Sequence, residues 1–399
     1  MSAAEAGCPS GKALELLNPS LKTASVTQTV ELSVVDWDGP DDPENPLNWT
    51  PFKKWLIISL VAYITFVTTK SIGSSYGSTI LAPGVPALLK EFGVTNTSLA
   101  SFVVSIYILG FCVGPLFLAP LSELYGRLSI IHLSNVLFLI FSVACAVSTS
   151  IGMFIFFRLM QGISACPPLT LGGGTISDLM IPTKRGKALS IWAMGPLLGP
   201  VIGPVIGGYM NETIGWRWTF WFTAIMTGVS ILASAAVLRE TYAPTLLAKK
   251  AACLRKQTGN LEYKSKFDRG LSPGYLFKQA IIRPTKMLIL SPIVFVLAIH
   301  MSIIYSYLYF MFTTFTFVFE DRYGFSSGEA GLAYLGLGIG FIVGQFGVGY
   351  SSDLYVKKML EKSGAMKPEY RLPPLMISAF IIPIGLFWYG WTARKRYTG

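Results

Sequence analysis

GPLLGPVIGPVIGG, residues 195–208, decides the fold of this chain. Glycine recurs every fourth residue at Gly195, Gly199, Gly203 and Gly207, with Gly208 beside the last. Proline follows one step behind at Pro196, Pro200 and Pro204. In water such a run does not stay helical, because each internal proline deletes a backbone donor and costs about 3 kcal/mol. In hydrocarbon the alternatives are worse: each unpaired backbone group costs several kcal/mol, so the run stays helical where neighbouring helices absorb its bends. Four residues advance a helix by about 400°, so the glycine row drifts only about 40° per step and leaves a shallow groove for another helix. The stretch reads as a bending element at a helix interface inside a bilayer.

The rest of the chain agrees with that solvent. Hydrophobic residues make up 52% of the 399 and charged residues 13%. Apolar runs of about 20 residues recur, each long enough to cross a 30 Å hydrocarbon core. The expected class is an all-α polytopic membrane protein, with the bilayer as its first partner. Residues 1–53 are polar and lack a signal-peptide core. The first span begins near Trp55, and its apolar run stops after about 15 residues at Lys70, too short to cross, so the helix is expected to pass through Lys70. Further spans fall at about 98–119, 129–149, 152–177, 188–210 and 217–238. A polar central segment, 239–287, carries eleven Lys or Arg against three acids, and spans resume at about 288–318, 328–350 and 374–392. The count is nine, dividing residues 54–238 (six helices) from 288–393 (three), with an atypical tail at 394–399.

The net charge of +11 does not point to nucleic acid. The basic residues cluster in alternate loops: Arg127; Lys184, Arg185 and Lys187; the central segment; then Lys357, Lys358, Lys362, Lys367 and Arg371. That asymmetry places the N-terminus in the cytoplasm. Only the tail breaks the rule, with Arg394, Lys395 and Arg396 on the outer side. Of the five cysteines none shows a paired spacing, so neither a disulfide framework nor a metal site is indicated.

A shift of 230 residues superposes Gly110 on Gly340, Gly114 on Gly344, Ser122 on Ser352, Glu123 on Asp353, Leu124 on Leu354 and Tyr125 on Tyr355. The second and eighth spans are copies, and a six-helix unit recurs from about residue 288 with three of its helices present. The chain is therefore expected to stop short of twelve spans.

On these residues the chain resembles the major facilitator superfamily, and within it the fungal twelve-span drug:proton antiporters and polyamine-transporter-like proteins. The resemblance covers about 36–392. It rests on APLSELYGR (119–127), RLMQG (158–162), the 195–208 run, WRWTFW (216–221), ETYAP (240–244), LRKQTGN (254–260) and FWYGWTA (387–393). Ala119 departs from the glycine usual in the superfamily. The resemblance implies two bundles rocking around a mid-membrane site, and for Arg158 a part in proton coupling.

Read without the family, Arg158 is the most informative residue. A guanidinium stays charged, and placing it in a span costs about 2.5 kcal/mol or more, so it faces a cavity or a partner, with Gln161 on the same face. The alternative is an arginine snorkelling to the outer interface. Glu123 and Arg127 flank a turn at Gly126 and read as an inner latch repeated at Asp353; the alternative is a polar turn that only ends a helix. Lys70 meets an anionic group in a cavity or snorkels. His300, near mid-membrane, carries protons or is hydrogen-bonded between helices. Tyr305, Tyr307 and Tyr309 suit a cavity for amphipathic solutes or form an interfacial belt.

No Walker motif, HExxH or GxSxG is present, and Gly172–Gly174 read as helix packing, so ATP hydrolysis and membrane hydrolase chemistry have no support. The expectation is a cofactor-free, metal-free monomer that exports a small organic compound (drug, polyamine or secondary metabolite) against protons. The plasma membrane is its default location and the vacuolar membrane the alternative. The rivals are an uncoupled facilitator or importer and a non-transporting truncated chain.

Overall fold

The computed structural model describes residues 34–72, 88, 91–93, 97–268, 270–319, 323–363 and 373–394. Apolar runs capped by turn residues become helices throughout. We number them α1 Pro51–Ile72, α2 Thr97–Tyr125, α3 Arg127–Ala146, α4 Ile151–Ala165, α5 Pro167–Leu179, α6 Pro182–Thr213, α7 Arg217–Val237, α8 Ala243–Thr258, α9 Pro273–Leu290, α10 Pro292–Phe317, α11 Ser327–Ser363 and α12 Pro373–Arg394. Among the described residues seven helical stretches are long and apolar enough to cross a membrane, with α4 and α5 counted as one. They are the six expected spans of the first half and the eighth. The seventh begins with an elbow: α9 and α10 meet at 90° across Ser291. In α12 the apolar stretch among described side chains is the shorter Phe380–Thr392. The protein is an all-α polytopic membrane protein, and α1 runs through Lys70 as its short apolar run requires.

The 195–208 run lies inside α6, one helix of 32 residues. At Gly195 a side chain would meet the Ala62 carbonyl of α1 at 2.6 Å, so α1 enters the groove there. On its other side α6 packs along α11, where Gly338 leaves room for Val201. A second close approach was not visible beforehand. Side chains at Gly110 or Gly162 would collide with the carbonyls of Leu159 and Tyr107, so α2 and α4 touch at backbone distance. Gly114 likewise faces the Ile163 carbonyl of α4, whereas Gly340 and Gly344, the repeat equivalents of Gly110 and Gly114, face open space.

The repeat also breaks at its turn. Gly126 ends α2 with φ 93°, whereas α11 runs on for 37 residues through the matching position. That position holds Val356, and a β-branched residue cannot adopt a positive φ without strain. Asp353 therefore lies within a helix, not at its end.

On the face of the central segment the acidic N-terminal residues are strapped to basic ones. Val34–Val35 (β1) pairs in parallel with Lys264–Ser265 (β2). Lys266 meets Asp36 at 2.6 Å, and Lys250 of α8 meets Asp38 at 2.7 Å and Asp42 at 3.6 Å. The side chains of Lys250 and Asp42 are only 4% and 2% exposed, and breaking a buried pair costs about 3–5 kcal/mol. Lys250→Ala is therefore expected to release the strap, read as faster proteolysis near residues 34–48 with the spans intact.

The opposite face is tied by Glu91. Its carboxylate accepts from Arg217 at 2.7 Å and from the Trp216 indole at 2.8 Å, while Arg217 also donates to the Ala146 and Ser148 carbonyls. Phe92, Phe154, Trp216 and Phe220 stack edge-to-face beneath. The Arg217 bond, then the Trp216 bond, hold the Glu91 carboxyl below its ordinary value of 4.5. A lowered folded value stabilises above the unfolded one and is lost as pH falls through the folded one. The pair is partly exposed, so the effect is modest. Acid unfolding below about pH 4.5 should be shallower in Glu91→Gln than in the unsubstituted chain, measured as melting temperature against pH.

Candidate functional site

Two clusters carry the charged residues that the sequence singled out. The first sits within α4. Ser150 caps this helix by accepting from the Met153 amide, and Arg158, Gln161 and Ala165 share its buried face. Arg158 is 1% exposed. Its Nη1 donates to Gln161 Oε1 at 3.1 Å, and Gln161 Nε2 donates to Ser142 Oγ of α3 at 2.8 Å. The guanidinium carbon stands 4.8 Å from the ring centre of Tyr107 (α2) and 5.6 Å from that of Phe220 (α7). Four helices thus close around one fixed positive charge. Desolvated cation–π contacts of this kind are each worth about 2 kcal/mol. Arg158 is packed inside the bundle; it does not snorkel to the interface.

The second cluster lies at the turn between α2 and α3. Gly126 is required twice, for its positive φ and because a side chain would collide with Glu240. The Glu240 carboxylate accepts from the amides of Arg127 (3.2 Å), Leu128 (3.1 Å), Thr241 (3.0 Å) and Tyr242 (2.9 Å). A carboxylate on the first amides of α3 is favoured by both the free N–H groups and the helix dipole. Arg127 turns across Gly174 to Asp178, Nε to Oδ2 at 3.0 Å, and stands 5.1 Å from the Tyr242 ring. Gly172 receives the Trp192 indole in the same way, so the glycine triplet serves packing.

The sequence reads Glu123 and Arg127 as an inner latch; in this structure the carboxylate on the first amides of α3 is Glu240, and the carboxylate paired with Arg127 is Asp178. Glu123 is exposed and, among the described residues, makes no hydrogen bond or ion pair. It lines a cavity of ≈ 510 Å³ with Lys266, Asp268 and Arg283 of the central segment. Asp178 had a signal, a carboxylate near the end of an apolar run. Glu240 had one only as part of ETYAP.

Among the described side chains no other candidate joins Arg158. The side chains of Lys70, Tyr309 and Asp353 lie outside the described residues. His300 is half-buried in α10, its Nε2 enclosed without a hydrogen-bond partner among the described residues. Tyr305 and Tyr307 are exposed on the same helix. Ser142, Tyr107 and Phe220 were missed, because such residues in apolar spans carry no signal until a charge is seen beside them.

A family model described as Major Facilitator Superfamily matches residues 71–397. The chain belongs to the Major Facilitator Superfamily. It is 50% identical over 361 residues to the MFS-type transporter penM of Penicillium rubens, covering 90% of this chain and 70% of that one. It is also 50% identical over 364 residues to the efflux pump radE of Floropilus chiversii, covering 91% and 66%. The chain thus spans about two thirds of the length of these relatives. Among solved structures, the xylose transporter XylE from E. coli, in a partially occluded inward-open conformation, matches with TM-score 0.51 at 18% identity over 76% of this chain and 73% of that one. At that identity the match speaks for the fold alone. Membership makes this a chain of a transporter family and not an enzyme. It also agrees with the expectation formed from 119–127, 158–162 and 195–208.

Proposed function

We propose that the protein is a secondary active transporter that expels a small organic compound in exchange for protons, rocking two helical bundles around a mid-membrane site. The observation that carries this reading is the guanidinium of Arg158, enclosed by four helices and held by Gln161 and Ser142. A guanidinium does not give up its proton, so its role in coupling is to favour the deprotonated form of an acid or solute that docks against it. The name efflux pump borne by the radE relative supports outward transport. Lys70, His300, Tyr305, Tyr307 and Tyr309 are the proposed cavity residues, and Glu123 the moving half of a latch whose fixed half is Gly126, Arg127, Asp178 and Glu240. The N-terminus is cytoplasmic in this reading and the plasma membrane the default location. The 195–208 run of α6 is the sliding contact against α1 and α11.

The test is solute movement in proteoliposomes holding the chain. A proton-driven exporter accumulates solute against its own gradient only while a pH gradient is imposed. An uncoupled facilitator brings solute to equality with or without one, and that result would sink the proposal.

A further inference from the structure

The helix α9 is unlike the spans and unlike the loop around it. Its 18 residues, PGYLFKQAIIRPTKMLIL, contain Lys278, Arg283 and Lys286 and no acid. None of these three cations forms an ion pair among the described residues. At 100° per residue Tyr275, Ile282 and Lys286 fall within about 40° of one another, with Arg283 about 60° beyond Lys286. That face is open: Tyr275, Ile282 and Leu290 are exposed beside the cations. Large apolar groups mixed with exposed Lys and Arg are the composition of a helix lying in a membrane interface.

The geometry puts α9 there. It meets the apolar α10 at 90°, so where α10 crosses the bilayer α9 runs along its surface. The adjoining side, at Leu276, Ala280 and Pro284, lines a cavity with Pro120, Glu123 and Leu124 at the end of α2, and Arg283 stands at the edge between the two sides. The ends of two membrane helices thus fix its depth. Along α9 up to Ser291 at the elbow, Ile282, Arg283, Lys286, Met287 and Leu290 line a groove of ≈ 440 Å³. Two cations border apolar side chains there: a guanidinium fork and an ammonium suit a phosphate, and the apolar side chains suit acyl chains.

We propose that the elbow between α9 and α10 binds an anionic phospholipid from the leaflet on the central-segment side. This site does not depend on what the protein carries or on proton coupling.

Native mass spectrometry of the full chain, purified in mixed phosphatidylcholine and phosphatidylserine, tests it. The unsubstituted chain should retain phosphatidylserine over phosphatidylcholine by about fivefold for each basic side chain engaged. The double variant Arg283→Gln with Lys286→Gln should lose that preference, whereas Lys249→Gln with Lys256→Gln, on exposed positions of α8, should keep it. Raised salt should shrink the preference in the unsubstituted chain, which serves if the double variant does not fold. Excess inorganic phosphate should leave lipid retention unchanged. Equal retention of the two lipids, loss of preference in the α8 variant to the same degree, or displacement by inorganic phosphate would each overturn the proposal, the last by identifying a free-anion site instead.

Discussion

Arg158→Leu abolishes gradient-driven solute accumulation in proteoliposomes while the chain still folds; this is the largest effect expected of any single substitution. The side chain is 1% exposed and donates a charge-assisted hydrogen bond to Gln161, which in turn holds Ser142. A hydrogen bond to a charged group contributes about 1.5–3 kcal/mol, a factor of about ten to a hundred in any equilibrium that it biases. Leucine removes the charge, and with it the desolvation cost of a buried guanidinium, and fills part of the space, but it leaves Gln161 Oε1 without its donor, a loss of about 1–3 kcal/mol. The expected signature is therefore lost coupling in a folded chain whose melting temperature shifts by only a few degrees. Arg158→Lys keeps the charge but loses the planar fork that reaches Gln161 between two aromatic faces, so it should retain only a small part of the flux. Gln161→Leu should fall between the two. Were Arg158→Leu to unfold the chain while Arg158→Lys transported normally, the residue would be a structural anchor.

Glu240→Ala is the second large effect, and it is one of stability. One carboxylate serves four backbone amides at 2.9–3.2 Å, two of them at the start of α3. Loss of an ordinary helix cap costs about 1–2 kcal/mol, and hydrogen bonds to a charged acceptor cost about 1.5–3 kcal/mol each when broken. Several kcal/mol are at stake, enough to lower the melting temperature of the detergent-solubilised protein by many degrees. Glu240→Gln keeps one acceptor oxygen and should sit between the unsubstituted chain and alanine. Glu123→Gln, by contrast, should leave the melting temperature unchanged, since Glu123 is exposed and makes no hydrogen bond among the described residues. A drop for Glu123 equal to that for Glu240 would contradict the assignment of the cap to Glu240.

The spans were legible because a bilayer demands long apolar runs, and Arg158 was legible because a charge within such a run stands out. What surrounds Arg158 was not, since Ser142, Tyr107 and Phe220 come from three other helices and only packing brings them together. The glycine row of α6 announced a close contact but not its partner, which is Ala62 of α1 at one end. The contact between Gly110, Gly162 and their facing carbonyls was hidden because lone glycines in two helices show no period. The repeat diverges at one place. Six matched positions suggested a second latch at Asp353; Val356 stands where the first copy has Gly126, and there α11 stays helical whereas α2 turns. Helices α8 and α9 lay in a segment whose charge masked their pattern, and the strap from Asp36, Asp38 and Asp42 needed the two ends of that segment to be seen together.

Proton movement on addition of solute tests the account most directly. Proteoliposomes containing the chain and a pH-sensitive dye would be challenged with amphipathic drugs, polyamines and fungal metabolites in turn. The account predicts that at least one of them changes the luminal pH through the unsubstituted chain and not through Arg158→Leu. A solute that crosses through both at the same rate, with the dye silent, would contradict it.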